Sequence, residues 1–118
     1  MFQHILVVCI GNICRSPVAA AMLHKHLPGK VLSSAGLNAR VGEGVEPKAR
    51  QLAENAELDV SQHKARQLTS AMLESADLIL VMSNGQRRAI ADLSPVVLGK
   101  TLCLGQWLEQ GKGKDIPD

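Results

Sequence analysis

A chain of 118 residues, 46% apolar and 20% charged, is long enough for one folded domain and too apolar for a disordered chain. Its net charge of +2 comes from dispersed Lys, Arg, Asp and Glu, so the sequence lacks the basic stripe that nucleic-acid binding requires. With no apolar run near the ~20 residues that span a bilayer, no signal-peptide features and an odd number of cysteines, we expect one cytoplasmic domain over residues 1–118.

Predicted strands and helices alternate along the chain. Residues 4–8 are predicted to be a buried strand because residues 5–8 are an apolar run. A helix is predicted over residues 17–27, with Ser16 as N-cap and Pro17 in its first turn. Thr69 and Ser83 are predicted caps of two later helices, the second with Gln86 completing a capping box. The remaining strands are predicted over residues 31–34, 78–82 and 101–104, and the remaining helices over residues 47–56, 70–76 and 84–94.

This alternation predicts an α/β fold, in which a four-stranded parallel sheet is flanked by helices. Parallel sheets of this kind bind ligands at the carboxyl ends of their strands. Cys9 follows the first predicted strand directly and is therefore placed where a ligand site is expected. Cys103 falls in the last predicted strand and is interpreted as a core residue.

The segment CIGNICRS, residues 9–16, joins the first strand to the first helix. Successive backbone N–H groups at such a junction can surround an anion at the positive end of the helix. The residues expected to bind it are Ile10, Gly11, Asn12, Ile13, Cys14 and Ser16. We interpret the segment as an oxyanion site with a thiol at its base.

Three side chains of this segment have predicted chemical roles. The helix N-terminus and a nearby arginine favour the thiolate of Cys9, which is then a nucleophile at neutral pH. Arg15, five residues further on, can bind two phosphate oxygens with its planar fork. The hydroxyl of Ser16 can donate to the Cys9 sulfur.

With Pro17, the segment resembles the C-x5-R-S signature of the low-molecular-weight protein-tyrosine-phosphatases, which includes the sequence GNICRSP. The resemblance covers the whole chain. It includes Ser34 to Gly36 in the second strand, the HxARQ segment at His63, the DxILxM strand at Asp77, and the approach to the family's Asp-Pro loop at residues 115–118. It implies a flavodoxin-like architecture with a phosphate-binding loop after the first strand.

The resemblance also implies a function, the hydrolysis of phosphotyrosine in proteins through a phosphocysteine on Cys9. Asp118 matches the family's general acid, with Asp115 as the alternative. Residues matching Asn12, Ser16, Ser34 and His63 brace the loop in the family. The family chain usually continues with a long C-terminal helix that is missing here, which leaves the activity of this short chain open.

The bacterial members whose signature sequence is most similar act on tyrosine autokinases that govern exopolysaccharide export. Such a kinase is the implied partner. Phosphate or sulfate is expected in the loop. The chemistry requires no metal or cofactor, and Cys9 and Cys14 with the distant Cys103 do not complete a zinc ligand set. Cys14 is either a disulfide partner that protects Cys9 under oxidation or a small buried residue.

Two alternative functions remain open. One is a thioredoxin-coupled arsenate reductase, which shares the fold and loop, although residues 83–98 lack the relay cysteines of that class. The other is a non-catalytic domain that binds oxyanions. Trp107 is interpreted either as part of the pocket mouth or as a residue packed at the domain edge.

Overall fold

The structure is a computed structural model that describes residues 3–104. Its strands are β1 (His4–Cys9), β2 (Val31–Gly36), β3 (Leu78–Val81) and β4 (Thr101–Cys103). Its helices are α1 (Arg15–His26), α2 (Pro47–Asn55), α3 (Ser70–Ser75) and α4 (Asn84–Leu93), and a 3₁₀ helix spans Pro95–Lys100. Trp107, Asp115 and Asp118 lie outside the described residues.

The four strands form one parallel sheet in the order β2-β1-β3-β4. This confirms the predicted α/β class. The chain leaves β1 for one neighbour, β2, and later returns on the other side of β1 as β3. The carboxyl end of β1 is therefore the point at which the strand order reverses, where parallel sheets form ligand crevices.

Apolar side chains of β1 and β3 pack on both faces of the sheet because successive strand residues point to opposite sides. On one face they meet helices α3 and α4, and on the other they meet α1. Full burial of each Val, Leu or Ile contributes about 1.5–3 kcal/mol. The two buried sets are Leu6, Val8, Ile79 and Val81 on the first face and Ile5, Val7, Leu78 and Leu80 on the second.

Two of the predicted helix caps are present. The Thr69 hydroxyl accepts from the N–H of Met72, and the Ser83 hydroxyl accepts from the N–H of Gln86. The Gln86 side chain also reaches back, accepting from the N–H of Met82 at 2.9 Å. The helix starts at Ser70 and Asn84 thus follow from local hydrogen bonding, as the sequence predicted.

The prediction for the start of α1 was wrong. The helix begins at Arg15, with Cys14 at the N-cap position and no side-chain cap, so Ser16 lies inside the first turn. The reason is competition for its hydroxyl, which contacts the Cys9 sulfur and the Asn12 amide. Among the described helices, none is long and apolar enough to cross a membrane.

Candidate active site

The loop between β1 and α1, residues 9–15, is called the cradle loop below. Cys9 is the last residue of β1 and is 1% exposed, so the sheet fixes the position of its thiol. Arg15 is the first residue of α1. The first turn of this helix has no acidic side chain, and its partial positive charge faces the loop. Both features favour an anion at this position.

The carbonyl groups of the cradle loop are bound by neighbouring segments. Five consecutive carbonyls each accept a hydrogen bond from outside the loop, at distances of 2.6 to 3.0 Å. Four of the donors are backbone N–H groups: that of Leu37 donates to the carbonyl of Cys9, that of Asn38 to Ile10, that of Arg40 to Gly11 and that of Glu46 to Ile13. The fifth donor is Nε2 of His63, which contacts the carbonyl of Asn12.

The direction of the loop N–H groups follows from these carbonyl contacts. Across a planar trans peptide, the carbonyl of one residue and the N–H of the next point in opposite directions. The five bound carbonyls therefore turn the N–H groups of the next residues away from the neighbouring segments, to the side available to a ligand. These are the N–H groups of Ile10, Gly11, Asn12, Ile13 and Cys14, five of the six residues predicted from the sequence to bind the anion; the sixth is Ser16.

Asn12 holds the loop in shape. Its φ of 59° lies in the left-handed region, which asparagine tolerates better than most residues, and it is completely buried. Its Nδ2 donates to Oγ of Ser16 at 2.8 Å and to Oγ of Ser34 at 2.9 Å, while its Oδ1 accepts from the N–H of Arg66 at 2.9 Å. One side chain thus ties the loop to α1, to β2 and to the HxARQ segment.

Ser16 and Cys9 are in direct contact, with 2.9 Å between Oγ and Sγ. The Ser16 oxygen already accepts from Nδ2 of Asn12, so its own proton is available for the sulfur. A hydroxyl donated to sulfur stabilises the thiolate relative to the thiol. The arrangement therefore favours an anionic sulfur both before attack and as a leaving group.

The HxARQ segment supports the loop from outside. Besides the His63 contact with Asn12, Nε of Arg66 donates to the carbonyl of Ser34 at 2.9 Å. The Gln67 amide bridges the adjoining turn, accepting from the N–H of Ala39 and donating to the carbonyl of Leu37. The roles of Arg66 and Gln67 were missed from the sequence, although the motif that contains them was noted.

A surface cleft of about 770 Å³ lies behind these supports. Ser34, His63 and Arg66 line it together with Ala20 and Ala21 of α1, but no residue of the cradle loop does. We assign the functional site to the loop rather than to this cleft, because the nucleophile and the oriented N–H groups are in the loop.

Within residues 3–104, no group of three His, Cys, Asp or Glu side chains is placed to hold a metal ion. No disulfide joins the three cysteines, which all lie within the described residues; Cys14 is half-buried and Cys103 is buried in the core. Cys103 is therefore a core residue, as predicted, whereas the redox role of Cys14 stays a hypothesis.

Comparison with known proteins identifies the relatives of this chain. The family model described as low molecular weight phosphotyrosine protein phosphatase matches residues 4–118. The low molecular weight protein-tyrosine-phosphatase Ptp of Acinetobacter johnsonii is 44% identical over 117 residues, which cover 99% of this chain and 80% of the relative.

Solved structures agree with the sequence match. The tyrosine phosphatase Wzb of Escherichia coli K30, crystallised with sulphate, superposes with a TM-score of 0.93 at 40% identity, covering 100% of this chain and 80% of that one. The YwlE arginine phosphatase of Geobacillus stearothermophilus superposes at 0.89 with 35% identity, covering 98% and 75%. These two proteins share the fold, although one is named a tyrosine phosphatase and the other an arginine phosphatase.

Proposed function

Because this chain belongs to the low molecular weight phosphotyrosine protein phosphatase family, we propose that it hydrolyses phosphotyrosine in proteins with Cys9 as the nucleophile. The observation that carries the proposal is the buried Cys9 sulfur, 2.9 Å from the Ser16 hydroxyl, at the base of a loop in which five consecutive carbonyls are bound from outside. The N–H groups on the other side of that loop suit the oxygens of a phosphoryl group.

In the first step, the Cys9 thiolate attacks phosphorus in line with the aryl oxygen. An S–P bond forms as the P–O bond to the tyrosine breaks, and the loop N–H groups and the Arg15 guanidinium stabilise the equatorial oxygens. Removing one donor of this kind typically costs roughly 10²- to 10³-fold in rate. The electron pair leaves on the tyrosine oxygen, which takes up a proton.

We assign that proton to the carboxylic acid of Asp118, with Asp115 as the alternative. In the second step the resulting carboxylate removes a proton from water, which attacks phosphorus and releases phosphate and the Cys9 thiolate. General acid–base catalysis typically contributes roughly 10²- to 10⁴-fold. Both aspartates lie outside the described residues, and the resemblance to the family supports this assignment.

The natural substrate that we propose is a phosphotyrosine protein in the cytoplasm, and specifically a bacterial tyrosine autokinase that governs exopolysaccharide export. The similarity of the GNICRSP sequence to that of bacterial members of the family supports this partner. Phosphate, or sulfate as in the related Wzb structure, is expected to bind the cradle loop.

The experiment is phosphate release from three substrates, a phosphotyrosine peptide, a phosphoarginine peptide and p-nitrophenyl phosphate, by the wild type and by Cys9→Ser. We expect hydrolysis of the two aryl phosphates, a much slower reaction with phosphoarginine, and complete loss in Cys9→Ser. A parallel reaction with arsenate and thioredoxin tests the reductase. Faster turnover of phosphoarginine, or thioredoxin-dependent reduction of arsenate, would overturn the substrate assignment.

A separate binding measurement tests the non-catalytic alternative. Inorganic phosphate should inhibit p-nitrophenyl phosphate hydrolysis competitively and should protect Cys9 from alkylation. A protein that binds phosphate yet hydrolyses none of the three substrates would instead be a non-catalytic oxyanion-binding domain.

A further inference from the structure

Arg40 lies directly against the cradle loop. Its backbone N–H donates to the carbonyl of Gly11 at 3.0 Å, and its methylene stem runs beside the same glycine. A Cβ placed on Gly11 would meet Cγ and Cδ of Arg40 at 3.8 and 3.9 Å. The Arg40 side chain is nevertheless 62% exposed, so a cation stands in solvent at the edge of the proposed phosphate site.

The position of this cation is fixed by a turn that returns to Glu43. Nε of Arg40 donates to Oε2 of Glu43 at 2.9 Å, and the Glu43 N–H donates to the Arg40 carbonyl at 3.0 Å. Gly42, with φ of 87°, permits the turn. Two backbone hydrogen bonds with Ala65, at 2.9 and 2.8 Å, attach the turn to the HxARQ segment.

A cation in this position lies outside the loop that binds the phosphoryl group, and it faces the residues that flank a bound phosphotyrosine. When the phosphoryl group is in the cradle loop, the residues before and after the tyrosine pass over the edge of the loop. A carboxylate on one of them can approach the outer nitrogens of Arg40, since the contact with Glu43 engages only Nε. A lysine there would be repelled.

We propose that Arg40 is a specificity residue that favours phosphotyrosine sites with Asp or Glu adjacent to the tyrosine. Glu43 limits this preference, because its carboxylate competes for the same guanidinium and adds a negative charge close to the acidic residue of the substrate. The inference rests on the proposed function, since it names the class of phosphotyrosine sequence that the same loop selects.

The test uses peptides that differ only in the residue beside phosphotyrosine, which is Glu, Gln or Lys, placed before the tyrosine in one series and after it in another. For the wild type, kcat/KM should be highest with Glu and lowest with Lys in at least one series. An exposed ion pair gives roughly 0.2–1 kcal/mol, so each step should be about 1.5- to 5-fold. The preference should weaken at high salt.

Three variants test whether Arg40 is the source of this preference for acidic peptides. In Arg40→Ala the ratio of kcat/KM between the Glu and Lys peptides should fall towards one, whereas in Glu43→Gln it should rise. The matched control is Arg50→Ala, which removes an arginine of similar exposure that pairs with Glu54 within α2, and it should keep the wild-type ratio. An unchanged ratio in Arg40→Ala would overturn the proposal.

Failure of this proposal and failure of the proposed function give different results. Hydrolysis of p-nitrophenyl phosphate without discrimination among the peptides overturns only the role of Arg40. If no substrate is hydrolysed, the affinities of the three peptides for the Cys9→Ser protein, measured by fluorescence anisotropy, still decide the role of Arg40. Equal affinities there would also overturn it.

Discussion

The N–H of Arg66 donates to Oδ1 of Asn12 at 2.9 Å, and this contact fixes which way the Asn12 amide faces. A backbone N–H can only donate, so the oxygen must point to Arg66 and the nitrogen to Ser16 and Ser34. The Ser16 oxygen therefore accepts from Asn12, and its proton is directed to Cys9. A chain of hydrogen bonds with one direction thus runs from the HxARQ segment to the nucleophile.

Replacing Asn12 with aspartate tests this direction. In Asn12→Asp a carboxylate oxygen takes the place of the NH2 group, so the Ser16 hydroxyl turns to the carboxylate and no longer donates to sulfur. Loss of a hydrogen bond to a charged group costs about 1.5–3 kcal/mol, so kcat/KM for p-nitrophenyl phosphate should fall roughly 10- to 100-fold. Asn55→Asp, at the exposed end of α2, is the control and should be nearly as active as the wild type. Wild-type activity in Asn12→Asp would contradict the assigned direction.

Ser16→Ala should slow the second step more visibly than the first. Without the hydroxyl, the Cys9 thiolate is a poorer leaving group when water attacks the phosphocysteine. We expect kcat to fall roughly 10-fold or more, and phosphoenzyme to accumulate during turnover. Rapid-quench measurement of the phosphoenzyme fraction checks this. Ser94→Ala removes another buried serine, one at the end of α4, and should change neither quantity.

Gly36 is required because the chain passes very close to the cradle loop at this residue. A Cβ here would lie 2.5 Å from the carbonyl oxygen of Ile10 and 3.1 Å from Ala39. Gly36→Ala should displace Ile10, lower kcat/KM at least 10-fold and lower the melting temperature by several degrees. Gly99→Ala is the control, because no atom lies within 4 Å of the added Cβ. Equal effects of the two substitutions would show that this close approach is unimportant.

Asp77 stabilises the start of β1 in a pH-dependent way. Its carboxylate accepts from the N–H groups of His4 and Gln3, both at 2.9 Å, and these bonds hold the pKa of Asp77 below its ordinary value of 3.8. A group whose pKa is lower in the folded state contributes stability above its unfolded pKa, and the contribution is lost as pH falls through the folded value.

Asp77→Asn should therefore lower the melting temperature at pH 7, and the difference from the wild type should shrink as pH falls below about 4. Thermal unfolding at pH 7 and at several acidic values measures it. Asp92→Asn, at an exposed position on α4, serves as the control. A difference between Asp77→Asn and the wild type that is constant across this pH range would exclude the carboxylate as the cause.

Local patterns in the sequence were enough to predict the sheet and most helices. The four strands were predicted to within two residues at each end, the first and third from apolar runs, and Thr69 and Ser83 marked two helix starts. Strand burial and helix capping depend on neighbouring residues. The 3₁₀ helix Pro95–Lys100 was not predicted, since its apolar residues have no helical period before the fourth strand.

The cradle loop was found from the sequence, whereas the reason for its shape was not. The contacts that orient it come from Leu37 to Glu46 and from His63 to Arg66, which are distant in the chain. Only tertiary structure brings them to the loop. The error at Ser16 has the same origin, because a serine before a helix normally caps it unless other partners compete for its hydroxyl.

The central claim is that the phosphoryl group is transferred to the Cys9 sulfur before water releases it as phosphate. The most direct measurement is mass spectrometry of the protein quenched within the first turnover of p-nitrophenyl phosphate, followed by mapping of the modified peptide. We predict one phosphoryl group on Cys9 of the wild type and none on a Cys9→Ala protein. Turnover without a phosphorylated cysteine, or with the phosphoryl group on another residue, would contradict the account.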